Sequence, residues 1–454
     1  MRKRTSLIAV LVVFLLIIAG GSALLLVPRV AHASPGRDVK VNCGGQVPPA
    51  CYTSISAAVA AANAGDVIHV FPGVFLEKTT LNITVPLTLQ GAGAGLSTLQ
   101  GDLNEEMINV SLSVPGNLTI KGLTIEGNDL AHPTCGGYYI QLSSALSTDS
   151  IEIADNHFME TDKTDPSHGI CFTAAYHNFQ DPSPARLTLQ NNLFVGFTEV
   201  AEFFDHTGPL LVAGNDSEQL DGFGVFHTAF DDNTCCSALT ISALHEFSHN
   251  TFAGYAGQGI LIESNNATFT NVRLLSNTFT ITNTSGQPAM SVGGYGTGGQ
   301  VRVAAVGNVF QLTGNIVALQ VNQAVTGAIK GNLLAGDITP GSAGLNITTG
   351  SLYPESLTIT GNRITGFNMG LWSEPAMPPG GAAAQTIAAQ QNCIQGNVGY
   401  GAENTSPITL QASNNWWGAA SGPFDPIGNP GGMGNAVFGS MTYKPFLTAA
   451  PACP

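Results

Sequence analysis

The residues best suited to chemistry are concentrated in one stretch of this chain. Between positions 150 and 265 lie 16 of the 30 acidic residues and 7 of the 10 histidines, against two basic residues, Lys163 and Arg186. Paired carboxylates suit glycoside hydrolysis, because one can protonate the leaving oxygen while the other activates water. Clustered carboxylates also suit Ca²⁺, which prefers oxygen ligands. The stretch therefore predicts a carboxylate groove, and the alternative is a set of acidic loops in solvent.

Particular members of this stretch, and two residues beyond it, are candidate site residues. The candidate catalytic carboxylates are Asp162, Asp165, Glu199, Glu202, Asp205 and Asp231. The candidate Ca²⁺ ligands are Asp231 and Asp232, and the candidate substrate-binding residues are His168, Trp372 and Glu374. The acidic groups recur about once per structural repeat, so stacking would place them on neighbouring loops of one side.

Trp372 offers a flat aromatic surface outside the acidic stretch. Side chains alternate along a strand, so if Leu371 points inward, Trp372 and Glu374 point outward. They would then be in phase with Glu263 on an earlier strand. An exposed Trp can stack on a sugar ring. This pattern favours a carbohydrate ligand.

Two other chemistries have less support in the sequence. A lyase needs bound Ca²⁺ and an Arg or Lys base beside the substrate carboxylate, and only Lys163 and Arg186 lie near the acids. The residues His245, Glu246 and His249 have a metal-binding spacing. That spacing requires a helix to bring the two histidines to one face, whereas these residues fall in a strand-like phrase.

A recurring phrase identifies the element that must position these side chains. Its clearest copy is LTLQNNLF, at Leu187–Phe194. In the copies an Asn recurs at positions 156, 192, 215, 250, 277, 308, 332, 362, 392 and 415. Successive gaps run from 23 to 36 residues, and repeats of this length are typical of solenoids.

Each repeat reads as one coil of a parallel β-helix. The apolar residues alternate with period two, as in Leu357 and Ile359, which predicts strands with one buried face. Stacked coils lie about 4.8 Å apart, so equivalent side chains form ladders. The recurring Asn would take the left-handed backbone conformation of the turn. Its amide would bond to the Asn residues above and below.

The N-terminal part of the repeat region predicts a cap. Ser54 to Asn63 reads as a short helix with Ile55, Ala58, Val59 and Ala62 on its apolar face. A helix over the open end of a solenoid protects the exposed strand edges. We expect residues 34–50 to form an irregular leader before this cap.

The cap resembles that of right-handed parallel β-helix proteins of the pectate-lyase-like superfamily. The similar segments are AGDVI at 64–68, FPGVF at 71–75 and PLTLQG at 86–91. The far end, NNWWGAASGPFDP at 414–426 with MTYKPFLT at 441–448, is similar to the closing segment of secreted members. The resemblance implies an all-β right-handed parallel β-helix over 51–448, with 51–93 as cap and first coil and 414–448 as closing segment. It implies no single activity, since the superfamily mixes several.

The chain departs from the hydrolase signatures of that superfamily. Those branches carry Asn-Thr-Asp, Asp-Asp, Gly-His-Gly and Arg-Ile-Lys in that order. Here Asp231-Asp232 stands alone, Ser167-His168-Gly169 precedes it, and Arg363-Ile364-Thr365 lacks the Lys. These departures argue against a polygalacturonase-type site.

The first 33 residues read as a secretion signal. A basic start, an apolar run from Leu7 to Val27 and the small-x-small sequence Ala31-His32-Ala33 have this character. The apolar run is also long enough to span a membrane, so an uncleaved anchor is the alternative. We therefore expect a secreted or cell-surface protein that has no membrane contact after cleavage.

Charge and cysteine content narrow the partners further. Removal of residues 1–33 takes away four basic groups and no acidic ones, which changes the net charge from −15 to −19. Such a chain should repel nucleic acid and anionic polymers. All eight cysteines lie in the exported part, and an even count outside the cell favours disulfides. We predict the pairs Cys43–Cys51, Cys135–Cys171 and Cys393–Cys453, and leave Cys235-Cys236 open.

These features together predict an extracellular monomer that binds polysaccharide along one face of the solenoid, with cleavage by hydrolysis or elimination left open. The rival is a non-catalytic surface or adhesion scaffold. A third reading, from the resemblance alone, is a metal-site helper, but the chain lacks Met/His metal-ligand patterning.

Overall fold

The computed structural model supports a description of most of the chain after its N-terminal segment. The described residues are 36–44, 51–101, 106–127, 137–160, 173–178, 184–197, 199–203, 206–222, 225–230, 240–256, 258–264, 269–283, 286–294, 299–349, 355–375 and 385–454. All statements below concern these residues.

Three parallel sheets build the fold, and the chain visits them in turn. Sheet A runs through Cys51–Tyr52, Asp38–Val41, Val67–Val70, Thr88–Gly91, Asn117–Lys121, Ser150–Ala154, Arg186–Gln190, Leu210–Ala213, Thr240–Ser248, Phe269–Leu275, Val301–Val306, Val325–Lys330, Glu355–Thr360, Gln385–Gln390, Leu410–Gln411 and Met441–Thr442. Sheet B runs through Gly73–Glu77, Ser97–Gly101, Thr124–Gly127, His157–Glu160, Leu193–Val195, Asp216–Gly222, Thr251–Ala256, Thr278–Thr282, Val309–Thr313, Leu333–Ala335, Arg363–Thr365 and Cys393–Ile394.

Sheet C completes each coil before the chain returns to sheet A. It runs through Leu81–Ile83, Ile108–Ser111, Gly137–Ser144, Thr173–Asn178, Glu199–Glu202, Val225–Phe230, Ile260–Ser264, Pro288–Gly294, Val317–Val321, Ala343–Thr349, Met369–Pro375, Tyr400–Asn404, Gly434–Gly439 and Pro423–Phe424. Successive coils add one parallel strand to each sheet. This arrangement confirms the predicted all-β, right-handed parallel β-helix with a short N-terminal helix.

The core lies inside the coils, where alternate side chains of all three sheets meet. Aromatic residues stack along its axis: the rings of Phe252 and Phe279 are 4.8 Å apart, and those of Phe279 and Phe310 are 4.6 Å apart, both close to coplanar. These positions are in register on sheet B. The strand spacing therefore brings equivalent rings into contact from coil to coil.

The recurring asparagines form the predicted amide ladder at the turn between sheets A and B. Asn277 shows the pattern: its Nδ2 donates to Phe247 O at 2.9 Å and to Asn308 Oδ1 at 3.0 Å. Its own Oδ1 accepts from both nitrogens of Asn250, at 3.0 and 3.1 Å. All ten ladder residues are at most 1% exposed. A buried amide is tolerated there because its donors and acceptor are satisfied.

One detail of the turn differs from the prediction. The left-handed conformation belongs to the residue before each ladder Asn, not to the Asn itself. The residues with positive φ are Asp155, Asn191, Gly214, His249, Ser276, Gly307, Gly331, Gly361, Gln391 and Asn414. Bending the chain one residue earlier lets the following side chain enter the interior and reach the neighbouring coils.

The N-terminal helix spans Ile55–Ala60, shorter than the predicted segment. Ser54 caps it by accepting from Ala57 N. The buried Glu77 carboxylate accepts from Ile55 N and Ser56 N, at 2.7 and 3.2 Å, and so satisfies amides that a helix start leaves open. The expected apolar face is confirmed at Ile55, Ala58 and Val59, which are buried, whereas Ala62 lies beyond the helix and is half-buried.

The predicted leader is not wholly irregular. Asp38–Val41 within it forms a strand of sheet A that pairs with Val67–Val70. Arg37 fixes its start, because its guanidinium bonds to the buried Asp66 carboxylate at 2.6 Å. The Arg37 hydrogen bonds help to hold the pKa of Asp66 down at about 2, against the opposing effect of burial. The strand alternation of this short segment was too brief to register as a pattern in the sequence.

Two of the predicted disulfides are confirmed. Cys43 bonds to Cys51 near the helix, and Cys393 bonds to Cys453 at the far end. The predicted pair Cys135–Cys171 and the adjacent cysteines at 235 and 236 lie outside the described residues. Across the part of the chain that can be described, no helix has both the length and the apolar character needed to cross a membrane.

Candidate functional site

Most of the predicted catalytic residues cannot be placed. The candidates outside the described residues are Asp162, Asp165, His168, Asp205, Asp231 and Asp232. They include the proposed Ca²⁺ ligands, so that site stays a prediction. Glu199 and Glu202 lie at the two ends of one sheet C strand. Glu202 is 4% exposed, and its backbone is in register with His177 and His227 on the neighbouring strands.

The acidic groups of the central stretch do not share one side of the coil where they are described. Glu246 lies on sheet A, Glu160 on sheet B, and Glu199, Glu202 and Glu263 on sheet C. The expectation of one-sided stacking is wrong for these residues. The coils differ in length, so a similar spacing in sequence reaches a different sheet in each coil.

Of the two potential lyase bases, Lys163 lies outside the described residues, and the residues of the possible zinc site are separated. Arg186 is exposed at the start of a sheet A strand. His245 points into the core and is fully buried, Glu246 faces outward beside Arg273 with 3.7 Å between charged atoms, and His249 is exposed in the turn. The alternation of a strand sends neighbouring residues to opposite faces, so this spacing does not bring the two histidines together.

His245 instead meets a second buried histidine. Its ring centroid is 5.7 Å from that of His206, and both side chains are fully buried. Burial lowers the pKa of His206 to about 4 and that of His245 to about 3, because a charged imidazole loses its hydration in the core. His245 replaces the Leu210 of the preceding coil, so the pair is neutral core packing at ordinary pH.

A column of sheet C positions in register with the half-buried Trp372 has a different character. We call it the outer column: one residue per coil, each in register with the next. Its members are Asn82, Asn109, Gln141, His177, Glu202, His227, Leu261, Ser291, Gln320, Asn346, Trp372, Glu403 and Phe438. Amide, carboxylate, imidazole and aromatic side chains predominate in this set.

The C-terminal end of the outer column contains the predicted Trp372. Leu371 is 1% exposed and points into the core, while Trp372 is half-buried on the outer face. The predicted inward and outward phase of this strand is therefore confirmed. Glu374 lies on the same face two residues further on and accepts from Asn346 Nδ2 at 2.9 Å. The side chain of Asn346 is buried beside them, and its Oδ1 has no hydrogen-bond partner.

Glu403 follows Trp372 on the next coil. It is half-buried, and this burial raises the pKa of its carboxyl above the ordinary value. The next column position, Phe438, is 52% exposed, and its ring centroid is 5.7 Å from that of Tyr400. Aromatic surface and two carboxyl groups thus lie within three adjacent coils.

A separate cleft of about 400 Å³ opens beside the last coil. Its walls are Thr365, Gln395, Gly396, Trp417, Gly418, Met433, Gly434 and Asn435. Since none of these side chains titrates near neutral pH, the cleft offers no acid or base. Trp417 is fully buried there and closes the core over Ile394, while Trp416 donates its indole N–H to Gln395 at 2.9 Å.

Comparison with known proteins adds little to this geometry. No family model matches the chain, and no curated protein matches it. Among solved structures it is similar to the crystal structure of the Agl-KA catalytic domain, with 12% sequence identity and a TM-score of 0.38. That similarity covers 91% of this chain and 68% of the other. A similarity of this size carries no argument about function.

Sequence reasoning missed Asn346, Glu403 and Phe438. None of them lies in a dense acidic group, which was the signal followed. Their common feature is that they are in register with Trp372 on sheet C. The number of residues that separates each of them from its ladder Asn does not reveal this register. Trp372 follows its ladder Asn by ten residues, Glu403 by eleven and Asn346 by fourteen. Only the pairing of the strands brings them into one column.

Proposed function

We propose that this protein binds a neutral polysaccharide, outside the cell, along the outer column of sheet C and centred on Trp372. The observation that carries the proposal is the register of Trp372 with Asn346 on one side and Glu403 on the other. An aromatic face stacks on a sugar ring, while flanking amide and carboxylate groups hydrogen-bond to hydroxyls.

The column also suits a polymer better than a single sugar. Its positions repeat at the coil spacing of about 4.8 Å, so a linear chain laid along the axis would meet similar contacts from coil to coil. Polar residues occupy it from Asn82 to Glu403 except at Leu261 and Trp372. A ligand spanning several coils would gain from many weak contacts in sequence.

Charge favours a neutral ligand. Acidic residues outnumber basic ones two to one, and two of the acids, Glu374 and Glu403, flank Trp372 directly. An anionic polysaccharide would be repelled there unless cations screened it. Two confirmed disulfides agree with an extracellular location, since such bonds persist in oxidising compartments.

The test is retention by polysaccharides in affinity electrophoresis, with neutral and anionic polymers side by side. We expect the wild type to be slowed by at least one neutral polymer, and Trp372→Ala to weaken that binding about tenfold or more, because the sugar ring loses its stacking surface. The matched control is Phe71→Ala, an aromatic residue 40% exposed near the other end of the solenoid. Equal retention of wild type and Trp372→Ala would overturn the proposal.

The second candidate is a non-catalytic surface or adhesion scaffold. It is favoured by the described acids of residues 150–265, which lie on all three sheets instead of lining one groove. Large apolar side chains are also exposed at the far end, with Ile427 94% and Met433 81% accessible. On this reading no polysaccharide slows the protein, and Ile427→Ser with Met433→Ser reduces its attachment to surfaces.

A further inference from the structure

We infer that Glu374 and Glu403 form a catalytic pair that hydrolyses a glycosidic bond of the polysaccharide held over Trp372. This inference rests on the proposed function and extends it from binding to cleavage. Neither residue was a catalytic candidate in the sequence, where the acidic stretch ends at Glu263 and Glu374 was assigned to substrate binding.

The strand geometry sets the separation of the two Cα atoms from which these side chains leave. Glu403 is in register with Trp372, and Glu374 lies two residues beyond Trp372 on the same strand. With strands about 4.8 Å apart and a rise of about 3.3 Å per residue, the two Cα atoms are about 8 Å apart on the diagonal. Two glutamate side chains of equal length that leave one face from these positions can hold their carboxyl groups about 6.5–9.5 Å apart, the separation of inverting hydrolysis, which needs room for a water, whereas about 5 Å fits the retaining reaction.

The surroundings of the two groups differ in the way that an acid and a base require. Glu403 lies between Trp372 and Phe438 in the outer column, and this partly apolar setting favours its neutral, protonated form. The burial that raises the pKa of Glu403 is consistent with that role. Glu374 instead accepts from the Asn346 amide at 2.9 Å, which fixes its orientation and leaves its second oxygen for a water.

Asn346 supplies an independent sign of a ligand. Its side chain is 2% exposed, and its Oδ1 lacks a partner although its Nδ2 is bonded to Glu374. A buried acceptor without a donor is uncommon in folded proteins. A sugar hydroxyl at the edge of the Trp372 ring would provide the missing donor and would hold the sugar beside both carboxyl groups.

The reaction then balances with water as its only co-reactant. Glu403 gives its proton to the glycosidic oxygen as the bond from that oxygen to the anomeric carbon breaks. Glu374 takes a proton from a water whose oxygen bonds to the anomeric carbon from the opposite face. The products are a free hydroxyl on one fragment and a new reducing end of inverted configuration on the other. Exchange with solvent then removes the proton from Glu374 and returns one to Glu403.

The experiment uses the full chain and the neutral polysaccharide that retains it most strongly. Release of reducing ends is measured over time, and proton NMR identifies the first anomer formed. We expect cleavage with inversion by the wild type. Glu403→Gln and Glu374→Gln should each lower the rate by about 100-fold or more, as loss of a general acid or base does, while retention of the polymer is kept.

The matched control is Glu263→Gln, an outward carboxylate on the same sheet four strands earlier, which should cleave at the wild-type rate. The wild-type rate should also fall as pH rises through the raised pKa of Glu403, because the acid must be protonated.

Polymer retention without any new reducing ends would overturn this inference alone, as would full activity in either Gln variant. A product of retained configuration would exclude the inverting pair. Absence of retention would overturn the proposed function and the inference together.

Discussion

The asparagine ladder and the outer column of sheet C are built by the same stacking and have opposite characters. Both place one side chain per coil in register with the next. The ladder repeats one residue type ten times, and each copy is at most 1% exposed. The outer column changes residue type at almost every coil, and it ends in the half-buried Trp372 and Glu403 and the exposed Phe438. Stacking therefore fixes the residue type only where the side chain is closed off from water.

The reason is the free-energy cost of a buried donor or acceptor that has no hydrogen-bond partner. In the ladder, every amide depends on the same group in the next coil, and a buried donor or acceptor without one costs about 1–3 kcal/mol. Where an outer-column side chain is open to solvent, as at Gln320 and Glu403, water can satisfy what the neighbour does not. The fold leaves those positions free, so their composition reflects what they contact in solution.

The largest expected effect concerns the buried asparagine ladder. Asn277→Ala removes the donors to Phe247 O and to Asn308, and it leaves both nitrogens of Asn250 without their acceptor. We expect the free energy of unfolding to fall by about 3–5 kcal/mol, the sum of several unpaired buried groups. Guanidinium chloride titration measures it.

The control for the ladder variant is Asn117→Ala, an exposed Asn at the start of a sheet A strand. It should change the stability by less than about 0.5 kcal/mol. If the two variants were equally stable, the ladder amides would be no more than a by-product of the turn.

An intermediate effect concerns the buried histidines, which test whether the interior accepts a polar group only when it is neutral. Their pKa values of about 4 and about 3 lie below the 6.5 of an unfolded His, so the unfolded chain takes up protons first as pH falls. Stability should therefore decrease below pH 6.5, by about 2 kcal/mol per imidazole at pH 5. His245→Leu should remove about half of that loss, since Leu210 occupies the same position one coil earlier.

This prediction is checked by unfolding titrations of wild type and His245→Leu at pH 8, 6.5 and 5. The carboxylates titrate equally in both proteins, so the difference isolates the imidazole. An unchanged pH dependence in the variant would contradict the assignment of neutral buried histidines.

The smallest expected effect concerns a partly exposed position of the outer column. Gln320→Ala truncates a half-buried member of the outer column. Water replaces its contacts, and we expect a change in unfolding free energy within about 0.5 kcal/mol. Binding of the polysaccharide should weaken modestly, because one of many hydroxyl contacts is lost. A loss of stability as large as that of Asn277→Ala would remove the distinction between the two columns.

Buried features were predicted from the sequence more readily than exposed ones. The ladder positions, the phase of Leu371 and Trp372 and the apolar face of the helix were all predicted, because core packing repeats residue types that periodicity reveals. The left-handed position was assigned one residue too late, since Asp155, Ser276 and Gly307 share a backbone conformation and no side-chain type.

The candidate site was only half accessible from the sequence. Trp372 and Glu374 were identified because they alternate with Leu371. Glu403 was not, because its link to Trp372 depends on the number of residues that each coil spends in its turns. Such lengths vary from coil to coil, and strand pairing alone determines which residues become neighbours.

The last rung of the ladder has a consequence for the behaviour of the protein in concentrated solution. Asn415 accepts from Asn392, but its own Nδ2 turns back to Ala412 O and Ala389 O, at 2.8 and 2.7 Å. No amide donor of the ladder remains to recruit a further coil from another molecule. A parallel stack of this kind is otherwise a template for end-to-end growth. Because the final donor is used internally, we expect the ladder to offer no template for end-to-end growth.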